Sequence, residues 1–159
     1  MTRPKVHISH EGALFVDSCK DKRIVFTNGC FDILHRGHIH YLNQAKSLGD
    51  ILIIGINSDQ SVKELKGDNR PVNSQDDRKF FLENLKAVDF VEIFDAPTPY
   101  ELIKCIVPNV LVKGGDWPVS EIVGSDIVLE NGGEVKSLEF IEGHSTTSLI
   151  KKIQSLKPE

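Results

Sequence analysis

The stretch Arg23 to Leu42, RIVFTNGCFDILHRGHIHYL, decides the fold. It opens with Ile24, Val25 and Phe26 in succession, apolar without alternation, as a strand covered on both faces requires. Beyond the turn the period changes. Ile39, Leu42, Ala45 and Leu48 recur at helical spacing, and Gly49 is placed to end that helix. A buried strand therefore gives way to an amphipathic helix, and at the junction His35 and His38 flank a lone glycine, Gly37.

Outward from this unit the alternation continues. The runs Arg23–Asn28, Ile51–Asn57, Asp89–Phe94, Asn109–Lys113 and Glu134–Phe140 predict five strands. Helical patterns lie between them. Ser74 to Ala87 opens on a capping-box pattern of Ser74 with Asp77. Thr98–Ile106 and Ser120–Gly133 follow, the second stopped by Gly132 and Gly133. Ser145 is placed to cap a closing helix through Ile153, and Ser9 to Lys20 fits a leading helix. Strand–helix alternation predicts a doubly wound, Rossmann-like α/β domain with a five-stranded parallel sheet and right-handed crossovers. One domain is expected over 1–159, with its core at about 23–153.

The chain has 159 residues, a formal net charge of −4 and 40% hydrophobic residues, enough for a full core without a basic excess. That balance argues against nucleic acid as a partner, so any phosphate binding must arise from local geometry. Cys19, Cys30 and Cys105 are odd in number and widely spaced, so no disulfide framework or CxxC metal clip is visible. No apolar run approaches the length of a membrane span, and no signal peptide opens the chain. A soluble, reduced, cytoplasmic protein is the expectation.

In open α/β sheets ligands bind beyond the carboxyl ends of the strands. Those positions hold NGCFDILHRGH, NSD, KGGDW and EGHSTT, all polar or glycine-rich. For the histidine pair three readings compete. Zinc finds no fourth ligand and no HExxH pattern. An ordinary helix start with two solvated histidines is possible for an isolated HxxH. A phosphate grip uses the N–H groups and positive end of the helix, with Gly37 removing a Cβ from the approach path and the imidazoles donating to growing negative charge. The spacing suits phosphoryl or nucleotidyl transfer without naming the reaction.

With HxGH at His35 to His38 and GHSTTSLI at Gly143 to Ile150, the chain resembles the cytidylyltransferase-like nucleotidyltransferases. GINSDQSVKELKGDNRPVN, DDRKFFLENLKAVDFV and LVKGGDW resemble family segments in the same order, and the likeness covers about residues 23 to 153. Within the family the branch it resembles adenylylates D-glycero-β-D-manno-heptose 1-phosphate, in a stand-alone form without a kinase half. Glycerol-3-phosphate with CTP is the alternative substrate pair, and a silent nucleotide-binding module the alternative of another class. In place of the arginine and GISTT run of the cytidylyl branch this chain has IEGHSTT, with Glu142 and His144, which favours adenylyl transfer.

The resemblance implies attack by a sugar 1-phosphate on the α-phosphorus of ATP. His35 and His38 would stabilise the transition state and Lys66, in a flap-like loop, would neutralise phosphate charge, helped by Arg70. Asn28, Gly29, Cys30 and Phe31 would line the nucleotide pocket, with Cys30 packing rather than attacking. Asp32 would order the turn or a metal-bound water. Ser145, Thr146 and Thr147 would give hydroxyl and backbone donors to the β- and γ-phosphates. Lys113, Gly114, Gly115 and Asp116 would meet base or ribose, and Asn57 and Asp59 the acceptor or ribose, unless Asn57 or Ser58 simply caps a helix. Arg78 would pair with Asp76, Asp77 or the substrate phosphate. Magnesium is expected with ATP, held by no named protein ligand, and a homo-oligomer, at least a dimer, is expected from relatives.

Overall fold

The apolar runs pair as strands along nearly the lengths the sequence implies. In the computed structural model, which describes residues 7–159, β1 (Ile24–Gly29), β2 (Ile51–Asn57), β3 (Phe90–Phe94), β4 (Val110–Gly114) and β5 (Glu134–Leu138) form one parallel sheet. The sheet order is β3-β2-β1-β4-β5. The chain winds outward from β1 through β2 to β3, then returns beside β1 as β4. The strand order therefore reverses between β1 and β4. The expectation of one domain over 1–159 includes residues 1–6, which lie outside the described residues.

The helices are α1 (His10–Ser18), α2 (Arg36–Lys46), α3 (Asp59–Lys66), α4 (Gln75–Glu83), α5 (Tyr100–Ile106), α6 (Ser125–Glu130) and α7 (Thr146–Ser155). Serines start four of them. Ser9, Ser58, Ser74 and Ser145 each accept a backbone N–H from the first turn of α1, α3, α4 and α7. Successive strand residues point to opposite faces, and each face has its own core. Val25, Leu52, Ile54, Ile56, Val110 and Val112 pack with Tyr41, Leu42 and Ala45 of α2 and Leu82 of α4. Phe26, Ile53 and Leu111 pack on the other face with Leu102, Ile103 and Ile106 of α5 and Val128 of α6. Burying each such side chain contributes about 1.5–3 kcal/mol, so the two layers fix the doubly wound arrangement.

Three segments depart from the sequence reading. Lys66 is the last residue of α3 rather than part of a loop; apolar spacing gave that helix no stripe, because Asp59–Lys66 buries only Ser61 and Val62. The helix expected over Ser120–Gly133 is divided: a 3-10 turn at Val119–Glu121 precedes α6, because Gly124 takes φ +86 and a Cβ there would strike Ile103 at 2.6 Å. The last strand stops at Leu138, short of Phe140, which turns over the end of β4.

Candidate active site

At the reversal between β1 and β4 the strand ends diverge and leave a cleft, the position where open α/β sheets take ligands. Its inner lobe, 240 Å³, is walled by Asn28–Asp32, from the end of β1 into the turn beyond it, and by Lys113 and Gly114 of β4. Its outer lobe, 390 Å³, is walled by His35, Gly37, Ile141, His144, Ser145 and Thr147. His38, Tyr41, Lys66, Arg70, Phe140 and Thr146 front both lobes. A larger cavity, 470 Å³, lies by the edge strand β3, away from these groups. Its buried carboxylate, Glu92, is already occupied by the Ser9 N–H at 2.7 Å and Oγ at 2.9 Å.

The histidines cap their own helix. His35 is the N-cap of α2, and its Nδ1 accepts the Gly37 N–H at 3.0 Å. The Nδ1 of His38 accepts the His35 N–H at 3.3 Å, closing a reciprocal capping box with imidazoles in place of the usual Ser and Glu. The rings stack with centroids 3.9 Å apart. Because each Nδ1 is an acceptor, these hydrogen bonds assign the neutral tautomer with its proton on Nε2. Burial first, then His35 and Lys66, pushes the His38 pKa down to about 4. Burial and His144 lower that of His35. Two neutral Nε2–H donors thus stand at the start of α2. This corrects the simple grip: the Gly37 N–H is spent on the His35 ring, so the imidazoles replace it as donors. Gly37 itself is required by the ring beside it, since a Cβ would lie 2.8 Å from His35 Cε1.

Asp32 is 4% exposed and held by a distant loop. Its carboxylate accepts the N–H groups of Val72 and Asn73, each at 2.8 Å, and faces Arg70 Nη1 at 3.3 Å. It orders the loop after α3, and that loop carries Arg70 to the cleft. Arg78, fully buried, is a staple behind the strand ends. It donates to the carbonyls of Cys30 and Asn57, both at 2.8 Å, and of Asn73 at 3.1 Å. Its acidic partner is Asp59 at 2.9 Å, not Asp76 or Asp77. The Asn57 amide donates to Ser61 Oγ at 2.9 Å, and Ser58 rather than Asn57 caps α3. The side chains of Asn57, Asp59 and Arg78 are thus engaged with the protein, outside the cleft walls. Lys66 pairs with no carboxylate among the described residues, and its charge is felt by both His38 and Cys30.

Burial raises the Cys30 thiol pKa despite Lys66 and Arg78, so the sulfur stays protonated near neutrality. Phe31 holds φ +49, a conformation costing on the order of 1–3 kcal/mol, which sets its ring beneath Gly29 and 5.3 Å from the His38 ring. Of the STT hydroxyls, Ser145 Oγ caps α7 and Thr146 Oγ1 donates to the Ile33 carbonyl at 3.0 Å. Lys113 lies over the Trp117 ring at 5.1 Å, whereas Asp116 is exposed and outside the cleft walls. Sequence reasoning missed Tyr41 and Phe140. Tyr41 follows His38 by three positions and shares its face of α2, a signal that was available; its OH bonds Thr27 Oγ1 at 2.7 Å. Phe140 gave none. Among the described residues no group of three or more His, Cys, Asp or Glu is arranged to hold a metal ion, and no helix is long and apolar enough to cross a membrane.

A doubly wound sheet whose switch-point cleft carries a helix-start histidine pair, a facing lysine and a second helix start is the site of a nucleotidyltransferase. Residues 26–152 match the model of the cytidylyltransferase-like family, and the chain belongs to that family. It is similar to the "Bifunctional protein HldE" of Nitratiruptor, 58% identical over 136 residues, covering 86% of this chain and 29% of that protein. The protein of the same name from Wolinella succinogenes is 59% identical over 135 residues, covering 85% and 28%. The chain thus spans less than a third of the length of these curated relatives. Among solved structures, the lipopolysaccharide core biosynthesis protein of Thermoplasma volcanium aligns with TM-score 0.61 and 25% identity, over 77% of this chain and 99% of that one. Pantothenate synthetase of Thermus thermophilus, at 12% identity and TM-score 0.56 over 87% and 68%, shares the fold.

Proposed function

We propose that this chain transfers the adenylyl group of ATP to D-glycero-β-D-manno-heptose 1-phosphate, giving ADP-heptose and pyrophosphate for surface-polysaccharide synthesis. The observation that carries the transfer chemistry is the convergence of His35, His38, Lys66 and Thr146 on one two-lobed cleft. The inner lobe takes the nucleoside against Asn28–Phe31, Lys113 and Gly114, and the outer lobe takes the phosphate tail. An oxygen of the acceptor phosphate attacks the α-phosphorus as the bond to the β-phosphate oxygen breaks, and pyrophosphate leaves with the electron pair. The acceptor is already an anion, so no protein base is needed. The neutral His35 and His38 rings donate Nε2–H to α-phosphate oxygens as charge builds, and Lys66 offsets the tail's charge.

Magnesium enters with ATP as part of the substrate. Asp32 is committed to the 70–73 loop and does not compete for it. The choice of acceptor is supported by the identity to HldE proteins and by the heptose-branch resemblance of KGGDW and EGHSTT. A cytoplasmic homo-oligomer, in which residues 23–153 form one nucleotidyltransferase domain, completes the reading. The test is pyrophosphate release with magnesium, crossing ATP and CTP against heptose 1-phosphate and glycerol-3-phosphate. Release with ATP and heptose 1-phosphate alone is expected. Release with CTP and glycerol-3-phosphate overturns the substrates, and silence in every pairing with ATP still bound turns the reading toward a binding module.

A further inference from the structure

Three imidazoles, not two, line the outer lobe. The His35 and His38 rings lie 3.9 Å apart, and the ring of His144 lies 6.5 Å from that of His35, within 24° of parallel. His144 reaches this place by tertiary packing. Its Cβ lies 3.3 Å from where a Gly37 side chain would begin, and Thr146 ties its segment to the Ile33 carbonyl. We propose that His144 is a third polyphosphate-binding imidazole, which grips the departing pyrophosphate; this rests on the nucleotidyl-transfer reading above.

The charge arrangement of the lobe supplies the reason. No aspartate or glutamate is among the described residues that line it, so no wall carboxylate opposes an anion there. Of its two fixed cations, Arg70 faces Asp32 at 3.3 Å, which leaves Lys66 as the cation not so paired. A pyrophosphate develops charge on the tail side as the α–β bond breaks, on the side away from the inner lobe. His144 stands on that side, beside Ser145 and Thr147 at the start of α7. Its ring nitrogens have no hydrogen-bond partner among the described residues and are open to phosphate oxygens. A third donor there acts on the leaving group, whereas His35 and His38 act on the reacting phosphorus.

The experiment is a titration of the isotope-labelled histidine rings with magnesium pyrophosphate, followed by calorimetry on variants. All three ring signals are expected to move together in the wild type. His144→Ala should weaken pyrophosphate and ATP binding roughly three- to tenfold, the scale of one ordinary solvent-exposed hydrogen bond. KM for the sugar phosphate should stay unchanged, and His144→Gln, which keeps an N–H donor, should recover most of the loss. If His35 and His38 signals move while His144 stays still and His144→Ala binds as wild type, the third-imidazole role is overturned and the transfer reading stands. If none of the three moves with pyrophosphate or with ATP, both fall.

Discussion

His38 has its Nδ1 committed to the His35 N–H and its pKa lowered from 6.5 to about 4, chiefly by burial. Its neutral form is therefore favoured by folding. The unfolded chain takes up this proton near pH 6.5 and the folded chain only near pH 4. The stability this ring contributes is full above about pH 6.5 and is lost as pH falls toward 4. A ring titration in the free protein should show a midpoint well below 6.5, raised when ATP binds; a midpoint at 6.5 would contradict the buried geometry. Replacing His38 with Ala should lower kcat on the order of 10²–10³-fold while largely sparing ATP binding, checked by single-turnover kinetics beside calorimetry. Lys66→Ala should instead raise KM for ATP, and unchanged kinetics would return that lysine to solvated surface.

At the scale of elements, the start of α2 and the staple beneath it do different work. Gly37→Ala adds a methyl 2.8 Å from His35 Cε1, so the ring must move although alanine is the better helix former. Thermal unfolding should change little while kcat falls by about 10²-fold, the cost of misplacing a reacting group by about 1 Å. Full activity in a well-folded Gly37→Ala protein would show that the cap does not set the ring. Arg78 joins α4 to the ends of β1 and β2 through the Cys30 and Asn57 carbonyls, and also holds the Asn73 carbonyl and Asp59. Arg78→Met removes these bonds from a buried place and should destabilise by about 2–4 kcal/mol in urea unfolding. A loss under about 1 kcal/mol would rule the staple out.

Across the whole molecule, burial is uneven in a way that matters for the site. β1 and β2 are buried through most of their length, whereas no residue of α7 is buried, although its first turn walls the outer lobe. Helices with so little buried surface open at low free energy. Amide exchange should find α7 the least protected helix in the free protein and α2 well protected, with magnesium ATP slowing exchange at Thr146–Leu149. Unchanged exchange there on saturation with ATP would mean that the second helix start does not meet the phosphate tail.

The sequence by itself determined the strands and their parallel class, because apolar runs and helical periods are local patterns that either sheet face can use. It also marked both helix starts, since HxGH and STT carry their meaning in side chains a few residues apart. Tertiary structure alone decided which polar groups remain free. Asp32 is taken by residues 38 to 41 positions away, Arg78 by a carbonyl 48 positions away and Thr146 by one 113 positions away. Buried polar groups must find partners wherever the fold brings them, and no local pattern records that distance. For the same reason Phe140 and the third imidazole, His144, became part of the cleft only once β5 had paired with β4 and the segment before α7 had folded over Gly114 and Gly37.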